Sequence, residues 1–184
     1  HGGKLVERIL KDKEKERVLQ EIGEIEKVNV ERGIAADVEN IAKGVYSPLE
    51  GFMTREELEA VLHLKRLPND LPWTLPILLD IPEDMKSSIK EGDDIALFHG
   101  DIPLAVMHID EIYLFDKKEI AKYTFGTTDE AHPGVTKLYR MSGNFVAGKI
   151  DLIEEPKGPH DRYKLSPKET RYLFRQKGWK TVVG

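Results

Sequence analysis

The sequence contains no cysteine among its 184 residues, which excludes disulfide bonds, thiolate metal sites and a cysteine nucleophile. No apolar run approaches the ~20 residues of a membrane-spanning helix. The first residues are not followed by the apolar segment of a signal peptide. We therefore expect a cytoplasmic protein with no membrane partner.

Motifs that hold phosphates or metals are also missing. Neither GxxxxGK[ST] nor GxGxxG occurs, so no glycine-rich phosphate loop is predicted. None of the six histidines is paired with another at a ligand spacing such as HxxxH. The sequence thus predicts no metal site and no cofactor bound by this chain.

The charge balance is acidic, with a formal net charge of −5 and a pI near 5.7. A nucleic-acid-binding protein is more often basic, because neutralising phosphates supplies much of its affinity. Basic residues do accumulate in the later part of the chain, where they could attract an anion; they are Arg140, Lys149, Lys157, Arg162 and Lys164. We favour the simpler interpretation of a solvated surface and expect no nucleic-acid partner.

Hydrophobic periodicity predicts a mixture of helices and strands over the first 153 residues. Expected helices cover residues 12–20, 34–42, 54–62, 117–123 and 135–141, and the third opens with a capping box formed by Thr54 and Glu57. Expected strands cover residues 25–30, 73–81, 94–98, 102–113 and 145–153. This order indicates an α+β domain or a mixed pseudobarrel.

The last part of the sequence shows a break followed by a different order of predicted elements, a helix and then a short strand. A break is predicted at Pro156–His160, followed by a second capping box in which Ser166 precedes Glu169. The helix it opens should end near Gly178, and a short valine-rich strand should follow over residues 179–184. A lone helix and strand cannot bury both of their faces, so we expect this pair to open an α/β nucleotide-binding domain whose remaining elements lie beyond Gly184.

Two places invite a catalytic interpretation. Ser47 could be a nucleophile, but Ser-Pro in a glycine-flanked loop is usually a turn, and no GxSxG elbow surrounds it. Asp129 and Glu130 lie beside His132 and could form an acid–base pair. We favour an exposed loop leading into a helix, with Pro133 in its first turn.

Five motifs in the same order resemble the ATP sulfurylase (sulfate adenylyltransferase) family. They are His1-Gly2-Gly3-Lys4-Leu5, Gly44 to Met53 (GVYSPLEGFM), Trp73 to Ile77 (WTLPI), Thr128 to Val135 (TDEAHPGV), and Leu165-Ser166-Pro167 with Gly178 to Gly184 (GWKTVVG). Each motif is weak alone, but five in order over the whole chain are highly specific. The signature positions we expect to be structural are Ser47, Pro48, Leu49, Gly51, Phe52, Trp73, His132 and Pro133.

The resemblance implies a PUA-like domain over residues 1–160 and the opening of a Rossmann-like nucleotidyltransferase domain over residues 161–184. The reaction it implies joins sulfate to the α-phosphorus of ATP, supplied as Mg-ATP, and releases pyrophosphate. In the family the following residues read F-Q-T-R-N-P-x-H-x-x-H and bind nucleotide and sulfate. None of that motif lies within the 184 residues, so we assign no catalytic residue and expect this chain alone to be inactive.

The implied partners are ATP, sulfate and the missing catalytic domain, with a homo-oligomer as a further possibility. The alternative is a stand-alone PUA-like module that binds RNA or a protein, and a third is an interaction or regulatory domain with no ligand. The acidic pI and the unfinished terminal strand argue against the stand-alone module.

Overall fold

The computed structural model describes residues 3–155 and 157–183. His1 and Gly2 of the first motif, Pro156 of the expected break and the terminal Gly184 lie outside the described residues. The helices are α1 (Asp12–Glu21), α2 (Arg32–Ala42), α3 (Arg55–Leu64), α4 (Lys117–Phe125), α5 (Pro133–Arg140) and α6 (Pro167–Gln176). The strands are β1 (Glu26–Asn29), β2 (Gly51–Phe52), β3 (Leu79–Asp80), β4 (Asp94–His99), β5 (Ile102–His108), β6 (Glu111–Leu114) and β7 (Asn144–Leu152).

The strand β7 is the common pairing partner of most other strands in the sheet. The strand order is β1-β4-β5-β7-β2, and β3 and β6 also pair with β7. All four neighbours of β7 run antiparallel to it, whereas β1 is parallel to β4. Because one strand cannot hold four partners in a flat sheet, the sheet curls into a half-barrel, as expected for an α+β pseudobarrel.

The core lies inside this curled sheet and under the helices. From Asn144 to Ile150, every residue of β7 except Lys149 is buried. Phe145 is fully buried, and its ring lies 5.7 Å from that of Tyr113. The helix α2 covers the sheet through residues at helical spacing, Val38, Ile41 and Ala42, none of which is exposed.

Local signals explain most helix boundaries. Both expected capping boxes form: the Thr54 and Ser166 hydroxyls accept from the backbone N–H groups of Glu57 and Glu169, whose carboxylates bind the cap N–H groups in return. At α5, His132 is the N-cap and Pro133 occupies the first turn.

Three expectations about strands are wrong. Over residues 73–81 only Leu79–Asp80 is a strand, since Pro76 has no N–H to donate and the Trp73 indole binds the nearby Leu75 carbonyl. The strand expected over residues 102–113 is two strands, because the chain turns after His108. No strand forms over residues 179–183, where no described strand supplies hydrogen-bond partners.

None of the helices in the described ranges combines the length and apolar character needed to cross a bilayer.

Candidate functional site

The loop before β2 holds the amino-terminal segment against the domain. The Ser47 side chain is buried; its hydroxyl donates to the Gly44 carbonyl at 2.7 Å and accepts from the Val6 N–H at 3.0 Å. The Ser47–Pro48 peptide bond is cis. Both hydrogen-bonding roles of the hydroxyl are therefore used inside the domain, which fits a turn and not a nucleophile.

The rest of this segment enters the core. Leu49 and Phe52 are buried, at 4% and 2% exposure. Gly51 pairs with Lys149 on β7, and a Cβ atom at Gly51 would lie 1.7 Å from the Gly148 carbonyl oxygen. Only a residue without a side chain permits this approach of the two backbones.

Trp73 contacts the same segment from the opposite side. Its ring meets that of Tyr46 edge-on at 6.1 Å, and the Tyr46 hydroxyl donates to the Asp37 carboxylate at 3.0 Å. Burial raises the pKa of Asp37 above its ordinary value, although the Tyr46 hydrogen bond and the charge of Lys137 oppose the rise. This chain of contacts ties the loop at residue 73 to α2.

His132 acts as a helix cap. Its Nδ1 accepts from the Gly134 N–H at 3.1 Å, and its ring packs 5.0 Å from that of Phe125. Asp129 instead accepts from the Ala131 N–H at 2.9 Å. The imidazole and the carboxylate thus bind separate backbone groups, which favours the loop-and-helix interpretation over an acid–base pair.

Arg8 makes several contacts within the domain, although no sequence pattern distinguishes it. Its Nε donates to the Ile150 carbonyl at 2.7 Å, and its guanidinium pairs with Glu50 at 3.2 Å and Asp151 at 2.9 Å. These partners are 42 to 143 residues away in the chain, so no local pattern could identify them. Arg8 fixes the amino-terminal segment beside β7.

The Glu50 carboxylate forms ion pairs with Lys4, Arg8 and Lys149. Burial raises its pKa, but the hydrogen bond from Lys4 and the charges of Lys149 and Arg8 outweigh burial, so the pKa lies below its ordinary 4.5. A lowered pKa in the folded state means that the ionised carboxylate stabilises the fold above pH 4.5. That contribution is lost as the pH falls through the folded-state pKa.

We expect Glu50→Gln to lower the free energy of unfolding by about 1 kcal/mol at pH 7. The difference from the parent protein should shrink below pH 4.5 and vanish once the parent carboxyl is protonated. Thermal unfolding between pH 3 and 8 measures it. The control is Glu24→Gln, at an exposed carboxylate with no ion pair among the described residues. Its free energy of unfolding should stay close to that of the parent protein. A gap that stays constant with pH would contradict the assignment.

A cleft of about 1070 Å³ separates the domain body from the segment that carries α6. The Lys43 ammonium lines it, 2.7 Å from Glu39 and 2.6 Å from Glu155. Burial lowers the pKa of Lys43, but the hydrogen bonds to Glu155 and Glu39 prevail, so the pKa is raised.

Salt bridges cross the cleft to the terminal segment. Lys164 lies 3.8 Å from Glu39, and Lys168 lies 3.1 Å from Glu7. The helix α6 itself has no buried residue, and Tyr172 is 60% exposed. Charged contacts therefore hold this segment to the body, while Tyr172 and Leu173 of α6 remain exposed.

The five basic residues of the later chain do not form one patch, and the Arg162 guanidinium lies over the neighbouring Tyr163 ring, 4.6 Å from its centroid. Lys149 faces Glu50, and Lys157 and Lys164 line the cleft beside α6. Arg140 lies in a different groove, next to β1. Within residues 3–155 and 157–183, no group of three or more His, Asp or Glu side chains is arranged to hold a metal ion.

Comparison with known proteins gives the family. The profile of a PUA-like domain matches residues 1–155. This chain belongs to the PUA-like domain family. A solved structure described as a hexameric APS kinase from Thiobacillus denitrificans superposes with a TM-score of 0.72 over 97% of this chain and 31% of that one, at 22% identity. At this identity the likeness is one of fold alone.

Relatives named sulfate adenylyltransferase match the chain along its whole length. The proteins from Hyperthermus butylicus, Ignicoccus hospitalis and Pyrococcus abyssi are 52%, 49% and 50% identical over 183 residues. Each match covers 100% of this chain but 47 to 48% of the relative, so the chain spans about half the length of these proteins. The resemblance inferred from the five motifs is confirmed.

Proposed function

We propose that this chain is the amino-terminal half of a sulfate adenylyltransferase. The whole enzyme joins sulfate to ATP, supplied as Mg-ATP, to give adenosine 5′-phosphosulfate and pyrophosphate. The observation that carries the proposal is the identity of 49 to 52% over the full chain to relatives of that name, including the part beyond residue 155 that the PUA-like profile does not match.

In this proposal the chain supports the catalytic domain of the enzyme and contributes no catalytic residue. Residues 1–160 form the PUA-like domain, and residues 161–184 open a Rossmann-like catalytic domain. Support comes from the exposed Tyr172 and Leu173 of α6 and from the salt bridges of Lys164 and Lys168 that join this segment to the body. The partners are ATP, sulfate and the catalytic half, in the cytoplasm, and the hexameric fold relative supports a homo-oligomer.

The signature residues have a structural role in this assignment. Ser47, Pro48 and Leu49 fix the loop that binds the amino-terminal segment, while Gly51 and Phe52 set the approach of β2 to β7. The Trp73 ring packs edge-on against Tyr46 of that loop. His132 caps α5, and Pro133 lies in its first turn. Each contact is internal to the domain.

The test is formation of ATP from adenosine 5′-phosphosulfate and pyrophosphate. We expect no turnover by the 184-residue chain and measurable turnover by this chain fused to the remaining half of the Pyrococcus abyssi relative. That half alone gives the background. Turnover by the 184-residue chain, or a cooperatively folded fusion without turnover, would count against the proposal.

A further inference from the structure

The strand β1 has one open edge. It ends the sheet and, among the strands of residues 3–155 and 157–183, pairs with β4 alone. The Val30 N–H donates to the Phe98 carbonyl at 2.7 Å, so Val30 directs its N–H toward β4. Successive residues of a strand direct their N–H and C=O groups to opposite edges. Those of Lys27 and Asn29 therefore point away from β4. No described element outside β4 donates to or accepts from those backbone groups. They are free to pair with another strand.

A groove of about 880 Å³ runs along this edge. Its walls come from β1, the start of α2, the turn after β3 and the end of α5. The apolar side chains that line it include Val28, Ile34, Leu79, Met85 and Met141. Of these, Ile34, Met85 and Met141 are only half-buried, so apolar surface remains to be covered.

Three cations border the groove: Lys27, Lys137 and Arg140. None of them forms an ion pair within 4.0 Å with a residue of the described ranges. Two carboxylates also line the groove: that of Asp80 accepts from the Ser142 N–H at 2.9 Å, and that of Glu31, at the N-cap position of α2, makes no capping hydrogen bond. The border is therefore cationic on balance and complements an acidic partner.

We propose that this groove binds an extended peptide segment of a partner protein, which adds to β1 as a new edge strand. Side chains of a strand alternate between two faces, so a sequence that alternates apolar and acidic residues fits best. Its apolar side chains enter the groove beside Val28 and Ile34. Its carboxylates meet Lys27, Lys137 and Arg140, and its main chain pairs with Lys27 and Asn29.

The first experiment tests the backbone ladder with a fluorescein-labelled eight-residue peptide of alternating aspartate and valine. Two versions carry N-methyl groups, one on every aspartate amide and the other on every valine amide. A strand presents alternate amides to its neighbour, so one version should bind like the parent peptide and the other about tenfold more weakly. Equal affinity of both versions, or no binding of the parent peptide, would refute strand addition.

The second experiment tests charge, with the protein variant Lys137→Gln/Arg140→Gln. We expect about tenfold weaker peptide binding at low salt and a flatter dependence on salt concentration. The control Lys13→Gln/Lys118→Gln removes the same charge at exposed sites that form no ion pair with any residue the structure describes, and it should bind like the parent protein. Equal weakening in both variants would contradict a local site, and unchanged melting temperatures show that both variants fold.

A single-stranded thymidine decamer is the competing probe. We expect no displacement of the labelled peptide by the decamer at physiological salt. If the decamer binds more tightly than the peptide and displaces it from the parent protein but not from the double variant, the groove is a nucleic-acid site and the proposal is wrong.

Discussion

Gly51→Ala should lower the melting temperature of this protein by roughly 6 to 12 °C, from a loss of about 3 kcal/mol in the free energy of unfolding. The new methyl group would lie 1.7 Å from the Gly148 carbonyl oxygen and 2.5 Å from its carbonyl carbon. Backbone atoms cannot swing aside as a flexible side chain can, so β2 must move away from β7 and lose pairing with Gly148 and Lys149.

The matched control is Gly23→Ala. Gly23 has no atom within 4 Å of its added Cβ and no positive φ, so we expect a change within about 0.5 kcal/mol. Circular dichroism during heating measures both variants. A failure of Gly51→Ala to accumulate as folded protein, while Gly23→Ala does, agrees with the prediction; equal melting temperatures for the two would contradict it.

Phe145→Ala should cost about 3 to 5 kcal/mol, a large part of the total stability of a domain of this size. Phe145 is among the largest fully buried side chains, and it lies on β7 opposite both Asp80 of β3 and Tyr113 of β6. Its removal leaves a cavity where three strands meet, and the Tyr113 ring loses its aromatic neighbour at 5.7 Å.

Phe145→Leu provides the graded comparison, because it keeps the site apolar and removes fewer atoms. Urea unfolding should place its free energy between those of the parent and the alanine variant. If both substitutions cost the same, the aromatic contact with Tyr113 would outweigh the cavity. If neither costs more than about 1 kcal/mol, Phe145 does not hold the three strands together.

Local patterns in the sequence predicted the helices well. The capping boxes at Thr54 and Ser166 involve residues three positions apart, so their interactions can be read from the chain itself. The α+β class, the hairpin of β4 and β5, and β7 were also predicted. In β4 and β5 the partners are adjacent in the chain, which makes their pairing visible as alternation.

The rest depends on residues that meet only in the fold. The turn after His108 depends on a close approach to β7. A Cβ atom at Gly148 of that strand would lie 1.9 Å from the His108 carbonyl oxygen. The contacts of Arg8 with Ile150 and Asp151 join the two ends of the domain. The open edge of β1 could not be predicted either, because whether a strand is central or terminal is a property of the sheet and not of the strand.

The position of β7 sets the order in which this protein can fold as it leaves the ribosome. The pairs β1–β4 and β4–β5 use residues up to His108 and can form early, whereas β2, β3 and β6 lack their common partner until Asn144–Leu152 has been made. Synthesis proceeds at about 5 to 20 residues per second, so β2 waits several seconds with its edge unpaired. Until β7 emerges from the exit tunnel, the backbone groups of β2, β3 and β6 that pair with it stay without that partner, and the completed strand supplies it to all three.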